Sequence, residues 1–284
     1  MLKHLASLSN DSPGELQFSD DVQNMHLVTW PLWKQEGRSM KPTTIVEVPF
    51  ESPYEINALP LDKWDPTDTS DPTIKGGSFR IRLADTHGQR SSANMLIDKM
   101  YSWRGYTPSS PIREIPNRIT LVAHKDEHII GTITLGFDSS IGLLVDELYK
   151  QEIDPLRKQS RKLCEFTKLA VDSGVRSKRV LASLFHIAYI YAYDLHNSTD
   201  LFIEINPRHV KFYEKMLGFK QHGPEKHNHR VNAPAVLLWL DLDYAHQQIQ
   251  KFGGRLSLTR SEKSLYPYFF SPAEEEGISH RLEL

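Results

Sequence analysis

The sequence predicts an α/β fold, and three patterns along the chain carry that prediction. In each pattern a β-rich run is followed by a turn or by a helical period. They are a hairpin pattern at 119–137, a strand with a long apolar helix at 163–196, and a strand with a short helix at 201–219. Strands that alternate with helices are typical of a sheet covered by helices.

Length and composition limit the class of protein. The 284 residues can hold one large domain with extensions or two small domains. A net charge of −2 shows no preference for nucleic acid, and the single cysteine excludes an internal disulfide and a cysteine-based zinc site. No early apolar run resembles a signal peptide, and no stretch approaches about 18 uninterrupted apolar residues. We therefore predict a cytoplasmic protein without a transmembrane segment or a nucleic-acid partner.

The N-terminal quarter differs in composition from the rest. Residues 1–76 are rich in Pro, Ser and Asp, with apolar islands at 27–33 and 43–50. The segment 64–77 is turn-rich and has no period, which is typical of a linker or a wrapped arm. We assign residues 1–76 to an N-terminal extension and place the main domain at 77–254.

The elements of that domain follow from local signals. Helix one should begin near Asp85 or Thr86, either of which can cap it, and should stop near Gly105. The hairpin at 119–137 turns at the polar residues 125–127. Ala235–Leu242 is an apolar strand pattern, as expected for a strand buried on both faces. After Gly254 the pattern dissolves, so we assign residues 255–284 to a polar C-terminal tail, broken by an aromatic cluster at 266–270.

The end of the strand at 201–205 carries the most specific motif. Asn206 follows the strand, Tyr213 lies seven residues later on the predicted helix, and the helix ends at Gly218. Asn followed by Pro is a common helix start, so Asn206 could simply cap this helix, and Tyr213 could simply pack between helix and sheet. The arrangement resembles the last signature motif of the GNAT superfamily of acyltransferases. That resemblance implies that Asn206 holds a pantetheine amide and that Tyr213 protonates the leaving thiolate, so the protein should be an enzyme.

The strand and helix at 163–196 resemble the other GNAT signature, with a departure in the loop. Leu169, Ala170 and Val171 match the strand that binds pantetheine in the superfamily. The following loop has Arg179 and Leu181 where most members have glycines. Because a coenzyme A pyrophosphate needs close approach to bare backbone, this departure argues against an ordinary acetyl-CoA site.

Positive charge replaces the glycines in this loop. Arg176, Lys178 and Arg179 lie at the start of a helix, where exposed cations oppose the helix dipole at about 0.3–1 kcal/mol each. A bound anion would reverse the sign of that cost. We favour a phosphate-bearing partner for these three residues, and a solvated basic turn is the alternative.

One branch of the superfamily matches these departures. Residues 165–171, 176–181 and 206–213 resemble the long-chain N-acyl amino acid synthases, and the resemblance covers about 79–254. Members of that family join a fatty acyl group, carried on acyl carrier protein, to the amino group of an amino acid, and they are similar to acyl-homoserine lactone synthases. The resemblance implies a GNAT fold whose mixed, twisted sheet is splayed between the two central strands and flanked by helices. It also implies an acyl-phosphopantetheine co-substrate, an amino-acid acceptor and no tightly bound cofactor.

Glu165 is the candidate acceptor-side residue. Several GNAT enzymes place a general base six residues before the end of the pantetheine strand, which is the position of Glu165 relative to Val171. Strand alternation puts Glu165 on one face with Thr167 and Leu169. A buried carboxylate there would have a raised pKa unless it is paired, which suits proton relay from, or binding of, an ammonium group. The equal alternative is a structural Glu paired with a nearby Arg.

Basic residues follow Asn206 and suggest a contact surface. Arg208, His209 and Lys211 could receive an acidic carrier protein, and His209 could contact the thioester. A solvated helix face is the alternative interpretation.

Two further features have ordinary explanations. His227 and His229 have a metal-like spacing without a third ligand nearby, so we predict no metal site. Cys164, inside a strand, is typical of a small buried hydrophobe, which favours direct acyl transfer over a ping-pong mechanism.

The leading functional prediction is transfer of a long-chain acyl group from acyl carrier protein to the α-amine of an amino acid. Three alternatives remain open at the level of sequence. They are an acyl-CoA-dependent N-acyltransferase, an acyl-homoserine-lactone-type synthase and a non-catalytic module that binds acylated carrier protein.

Overall fold

The computed structural model describes residues 44–50, 77–107, 111–175 and 177–283, which form a mixed sheet with helices on both faces. The strands are β1 (Val46–Pro49), β2 (Ser78–Leu83), β3 (Arg118–Lys125), β4 (His128–Phe137), β5 (Leu163–Val171), β6 (Asp200–Ile205), β7 (Lys220–Gln221), β8 (Lys226–Asn228) and β9 (Ala233–Asp241). The α-helices are α1 (His87–Trp103), α2 (Asp146–Lys158), α3 (Lys178–Ile190), α4 (Val210–Leu217), α5 (Leu242–Phe252) and α6 (Pro272–Glu283).

The sheet is antiparallel except at its centre. The strand order is β1-β2-β3-β4-β5-β6-β9-β7, with β8 also paired to β9. Only β5 and β6 run parallel within the described residues, and their pairing covers Leu163↔Asp200 to Glu165↔Phe202. Both strands continue past that point, to Val171 and to Ile205. The predicted mixed sheet, splayed between its two central strands, is confirmed.

Helices pack on both faces of this sheet, and each face has its own core. Cys164 and Phe166 of β5 point into the large core that contains α3, together with parts of α4, α5 and α6. Leu163 of β5 packs on α2, and Ala170 packs on α1. We call these two sides the α3 face and the α1–α2 face.

Local signals set the predicted boundaries correctly. Thr86 caps α1, accepting from the Gln89 backbone N–H at 3.3 Å, while the Gln89 side chain accepts from the Thr86 N–H at 3.4 Å. Gly105 follows α1 with a φ of +78°, which suits glycine. Ser177 caps α3 by accepting from the Val180 N–H at 3.1 Å. The predicted hairpin is confirmed as β3 and β4.

The C-terminal segment contains regular structure, which differs from the polar tail predicted for residues 255–284. Residues 256–260 and 266–268 form short 3₁₀ helices, and α6 follows. His186 on α3 holds this segment, because its Nδ1 accepts from the Phe270 N–H at 2.9 Å and its Nε2 lies 3.1 Å from a Glu275 carboxylate oxygen. The aromatic cluster at 266–270 is buried in the α3-face core, which a local hydrophobic period cannot reveal.

One strand comes from the predicted N-terminal extension. β1 pairs antiparallel with β2 and buries Val48. The remaining features predicted for residues 1–76, including the apolar island at 27–33 and the linker at 64–76, lie outside the described residues.

Candidate active site

The splay leaves one edge of β5 open. From Phe166 onward, β5 faces β6 without a shared ladder in the described part of the chain. The other edge of β5 remains paired with β4, with a register shift between Thr132 and Thr134. This shift is a bulge on β5, where Lys168 has a φ of +52° and its carbonyl accepts from Thr132 Oγ1 at 2.8 Å. An extended polar ligand can therefore lie along the open edge.

The predicted pantetheine strand forms this open edge. Leu169 and Val171 pack against the α3-face core, and Ala170 is buried against α1. Their side chains fix the strand, so its backbone groups are what the edge presents to a ligand. The structure therefore places Leu169, Ala170 and Val171 on the open part of β5.

Asn206 lies at the end of β6, across the gap from the open part of β5. Its Oδ1 accepts from the Arg208 N–H at 3.2 Å and starts the 3₁₀ helix Pro207–His209. The capping role is therefore present. The NH₂ end of the same side chain is the group that could donate to a pantetheine carbonyl, so capping and ligand binding are compatible.

Tyr213 sits in an aromatic environment on α4. Its ring makes edge contacts with Phe185, Phe212 and Phe219, at centroid distances of 6.4, 5.3 and 5.7 Å. Burial raises the pKa of Tyr213 above its usual range, and the nearby Arg104 charge lowers it only in part. The hydroxyl is therefore protonated at neutral pH and can donate a hydrogen bond.

A small apolar pocket lies beside Tyr213 on the α3 face. Phe185 and Phe219, which touch the Tyr213 ring, are part of its wall. Phe166, the first β5 residue beyond the paired region, lines it together with Leu201 of β6. The pocket thus lies beneath the point where the two strands separate.

Glu165 is 1% exposed and held by its neighbours on the α1–α2 face. Its two carboxylate oxygens accept from the backbone N–H groups of Leu144 and Val145, at 2.8 and 3.0 Å, just before α2. Arg118 Nη2 lies 3.5 Å from Oε1. Burial raises the pKa of Glu165, and these contacts offset part of that rise. These contacts are the ones expected if Glu165 is a structural carboxylate paired with a nearby Arg.

The basic loop is only partly described, because Arg176 lies outside the described residues. Lys178 Nζ lies over the Tyr268 ring, 5.5 Å from its centroid. The charge of Arg179 contributes to lowering the pKa of Glu274 on α6. Both described cations therefore lie close to the C-terminal segment, at the beginning of α3.

The three residues of the predicted contact surface lie next to the site. Arg208 donates to Tyr106 Oη at 2.9 Å and to His209 Nε2 at 3.2 Å. Lys211 is exposed on α4. Arg208 therefore links the start of α4 to the segment after α1.

A charged group that the sequence prediction missed lies on the α1–α2 face of β6. Arg230 binds both carboxylate oxygens of Glu204, at 3.0 and 3.1 Å, and Asn228 donates to the same carboxylate. Glu147 contacts Arg230 from α2 at 3.2 Å. Burial raises the pKa of Glu204, and the charge of Arg230 is the main effect that opposes this rise. A single charge inside the apolar run 201–205 was the signal that could have revealed it.

Two lesser predictions can be compared directly with the structure. His227 lies 3.1 Å from Asn232 Oδ1, and no group of three or more potential metal ligands occurs among the described residues. Cys164 is fully buried, and burial raises the pKa of its thiol. No helix among the described residues is long and apolar enough to cross a bilayer.

The splayed parallel strands, the bulge and the Asn at the strand end define an acyltransferase of the GNAT fold. Residues 92–241 match the family model for the N-acyl amino acid synthase FeeM, and the chain belongs to that family. The structure of FeeM, an N-acyl amino acid synthase from uncultured soil microbes, is similar with 31% identity and a TM-score of 0.53. That match covers 60% of this chain and 93% of FeeM.

More distant structures were also found. An N-acetyltransferase from Staphylococcus aureus Mu50 has 15% identity and a TM-score of 0.41, over 58% of this chain and 98% of its own. The AHL synthase LasI has 14% identity and a TM-score of 0.42, over 58% of this chain and 90% of its own. No curated protein matches this chain.

Proposed function

We propose that this acyltransferase moves a long-chain acyl group from acyl carrier protein to the α-amine of an amino acid, in the cytoplasm and without a tightly bound cofactor. The open edge of β5 beside Asn206 carries the proposal. A phosphopantetheine arm is an extended chain with amide groups, and an extended chain can pair with a strand edge as an added strand. Asn206 and the backbone of residues 169–171 would hold this arm.

The acceptor nitrogen then attacks the thioester carbonyl, which forms the amide and releases the pantetheine thiol. The proton that the amine loses balances the proton that the thiolate gains. Tyr213 would donate a hydrogen bond to the developing thiolate through its hydroxyl, which carries its proton at neutral pH.

The donor is proposed from charge. Arg208, Lys211 and Lys215 are exposed where β6 leads into α4, and Lys178 and Arg179 begin α3. Such a group of cations suits an acidic carrier protein with a phosphate-bearing arm. A coenzyme A donor would instead depend on a loop that has no glycine at 177–181.

The test compares matched thioesters of acyl carrier protein and coenzyme A, measured as kcat/KM over a series of salt concentrations. We expect the carrier protein to be preferred and its KM to rise with salt, because exposed charges are screened over about 8–10 Å near physiological ionic strength. Lys211→Glu should raise that KM. Lys158→Glu, an exposed change at the opposite end of the parallel strands, is the control.

Equal or better kcat/KM with acyl-CoA would contradict the proposed donor. Mass spectrometry of lipids from bacteria that express the protein tests the product class independently. Accumulation of N-acyl amino acids is the expected result, and their absence together with inactivity of the purified protein on both donors would refute the proposed reaction.

A further inference from the structure

Side chains connect β5 and β6 at the place where their backbone pairing ends. The last register pair of the two strands is Glu165↔Phe202. Beyond it, on the α1–α2 face, the segment 142–145 just before α2 takes part in a chain of hydrogen bonds from a carboxylate of β5 to a carboxylate of β6. We call residues 142–145 the bridging segment.

On the β5 side, Glu165 binds the bridging segment. Its two carboxylate oxygens accept from the N–H groups of Leu144 and Val145, at 2.8 and 3.0 Å. A glycine in β4 leaves room for this carboxylate, since a Cβ at Gly136 would lie 2.8 Å from one of its oxygens and 2.9 Å from the Glu165 Cγ. The bridging segment is thereby fixed relative to β5.

On the β6 side, Arg230 completes the connection. Its Nη1 donates to the Leu144 carbonyl at 3.0 Å, and its Nη2 binds both carboxylate oxygens of Glu204, at 3.0 and 3.1 Å. Asn228 donates to the same carboxylate and accepts from the Arg230 backbone N–H at 2.7 Å. One guanidinium therefore joins the bridging segment to β6 through charge-assisted hydrogen bonds.

The bridging segment is itself held in one conformation. Asp146 Oδ2 accepts from the Leu143 N–H at 2.7 Å, and Arg157 binds both oxygens of that carboxylate, at 2.6 and 2.8 Å. Gly142 has a φ of +73°, and a Cβ there would lie 2.6 Å from an Asp146 carboxylate oxygen. The segment therefore acts as a spacer of fixed length between Glu165 and Arg230.

This connection bears on the groups proposed to hold the acyl donor. Those groups lie on both strands, because residues 169–171 belong to β5 and Asn206 follows β6. Glu204 lies two residues beyond the last paired residue of β6 and two residues before Asn206. Holding the Glu204 side chain thus fixes the end of β6, and with it the distance from Asn206 to the open edge of β5.

From this geometry we infer that Arg230 is a positioning residue for the acyl donor, which holds Asn206 at the correct distance from the open edge of β5. This role presupposes the proposed function and assigns part of its donor recognition to a residue that acts through Glu204 and the bridging segment. It requires a guanidinium that reaches two groups at once, so a positive charge alone does not fulfil it.

The test is a double-mutant cycle on donor binding, measured as Kd by calorimetry. The probe is a stable donor analogue, pantetheine whose sulfur carries a long 2-oxoalkyl chain in a thioether that cannot transfer its acyl group. Asn206→Ala removes the amide that would hold the arm. Arg230→Gln introduces a shorter side chain with a single NH₂ group, which cannot reach both Leu144 and Glu204. The wild type, both single variants and the double variant are compared.

Arg161→Gln is the matched control. Arg161 binds both carboxylate oxygens of Asp200, at 2.6 and 2.8 Å, at the paired end of the same two strands. After either Arg is replaced, the buried carboxylate keeps a neutral side-chain donor, which is Trp239 at Asp200 and Asn228 at Glu204. The two Arg variants therefore lose comparable bonds to β6 and differ in their position, at the paired end or at the gap.

In the wild-type background we expect Asn206→Ala to weaken binding of the analogue by about 2–12-fold, as for one hydrogen bond. In Arg230→Gln the same change should weaken binding by less than about twofold, because Asn206 is already displaced. In Arg161→Gln it should keep its full effect. If Arg230 only stabilises the fold, Arg230→Gln lowers Tm while Asn206→Ala keeps its full effect, and that result would overturn the inference.

Thermal unfolding checks that each variant is folded. If Arg230→Gln does not fold, Glu204→Gln/Arg230→Gln takes its place in the cycle, because it leaves no buried carboxylate that has lost its charged partner. The same loss of the Asn206 effect is expected in this double replacement. A full Asn206 effect in it would overturn the inference equally.

The binding cycle and the turnover assay can fail separately. Loss of the Asn206 effect in Arg230→Gln supports the positioning role even if no turnover is found, whereas absence of turnover with every amino acid and both donors refutes the proposed reaction alone. The positioning role is overturned if Asn206→Ala binds the analogue as tightly as the wild type does, or if the wild type does not bind it.

Discussion

Replacing Glu165 with Gln separates a structural carboxylate from a catalytic one. Glu165 accepts from the N–H groups of Leu144 and Val145 with one oxygen each. Gln keeps one carbonyl oxygen and turns an NH₂ group towards the other N–H. The variant therefore places two donors face to face in a site that is 1% exposed.

The magnitude follows from that lost acceptor. A buried donor left without a partner costs about 1–3 kcal/mol. For a folded unit of this size, 1 kcal/mol corresponds to about 2–4 °C in Tm, so we expect a decrease of about 2–12 °C. The Arg118 contact at 3.5 Å adds to this in the same direction. Because the described contacts of Glu165 are those of a structural carboxylate, kcat/KM should fall less than about tenfold in the folded variant.

The stability difference should also depend on pH. Burial raises the pKa of Glu165 above its ordinary value of 4.5, so the folded state binds the proton more tightly than the unfolded state. This group's contribution to stability therefore falls as pH rises from about 4.5 towards the folded pKa. Gln does not titrate, so the Tm difference between wild type and variant should be largest at the acidic end and should narrow above it.

Calorimetric unfolding at several pH values and steady-state kinetics with the same preparations provide the assay. Glu127→Gln, in the exposed turn between β3 and β4, is the matched control and should change neither quantity. The structural reasoning is refuted if Glu165→Gln melts like the wild type and loses about 10²–10⁴-fold in turnover, the range of a general acid or base.

Three further predictions concern other parts of the molecule. Tyr213→Phe should lower kcat with little change in donor KM, whereas Asn206→Ala should raise donor KM by about 2–12-fold, the equivalent of one hydrogen bond. Steady-state kinetics checks both variants. An unchanged kcat for Tyr213→Phe would mean that the Tyr213 ring serves only in packing. His186→Ala should lower Tm and expose residues 265–283 to proteolysis, because the ring binds Phe270 and Glu275; resistance equal to wild type would contradict this.

Periodicity and turn signals were sufficient to predict most of the central fold. The hairpin, the strands at 163–171 and 200–205 and the cap of α1 all depend on residues close together in sequence. The position of Asn206 was predictable for the same reason, because a strand followed by Asn-Pro marks both a strand end and a helix start.

Features set by distant residues were not predictable in this way. The aromatic cluster at 266–270 is buried because α3 supplies His186 beneath it, about eighty residues earlier, so no local pattern identifies it. The partners of Glu165 come from the turn before α2 and from β3. Sequence spacing suggested an acidic group near the site, but only the fold shows which donors occupy it.

The bulge at Lys168 explains why alternation alone placed Leu169 on the wrong face of β5. A regular strand puts residues 165, 167 and 169 on one face, but the register shift returns 170, not 169, to the face of 165 and 167. Leu169 consequently packs into the α3-face core, and Lys168 occupies the bulge itself.

The two faces of the sheet therefore present opposite chemistry at the gap where β5 and β6 separate. Aromatic and aliphatic side chains around Tyr213 line the α3 face, while Arg118, Lys168 and the Glu204–Arg230 pair line the other. Under the proposed function, the acyl chain and the charged acceptor approach the thioester from opposite sides of the sheet.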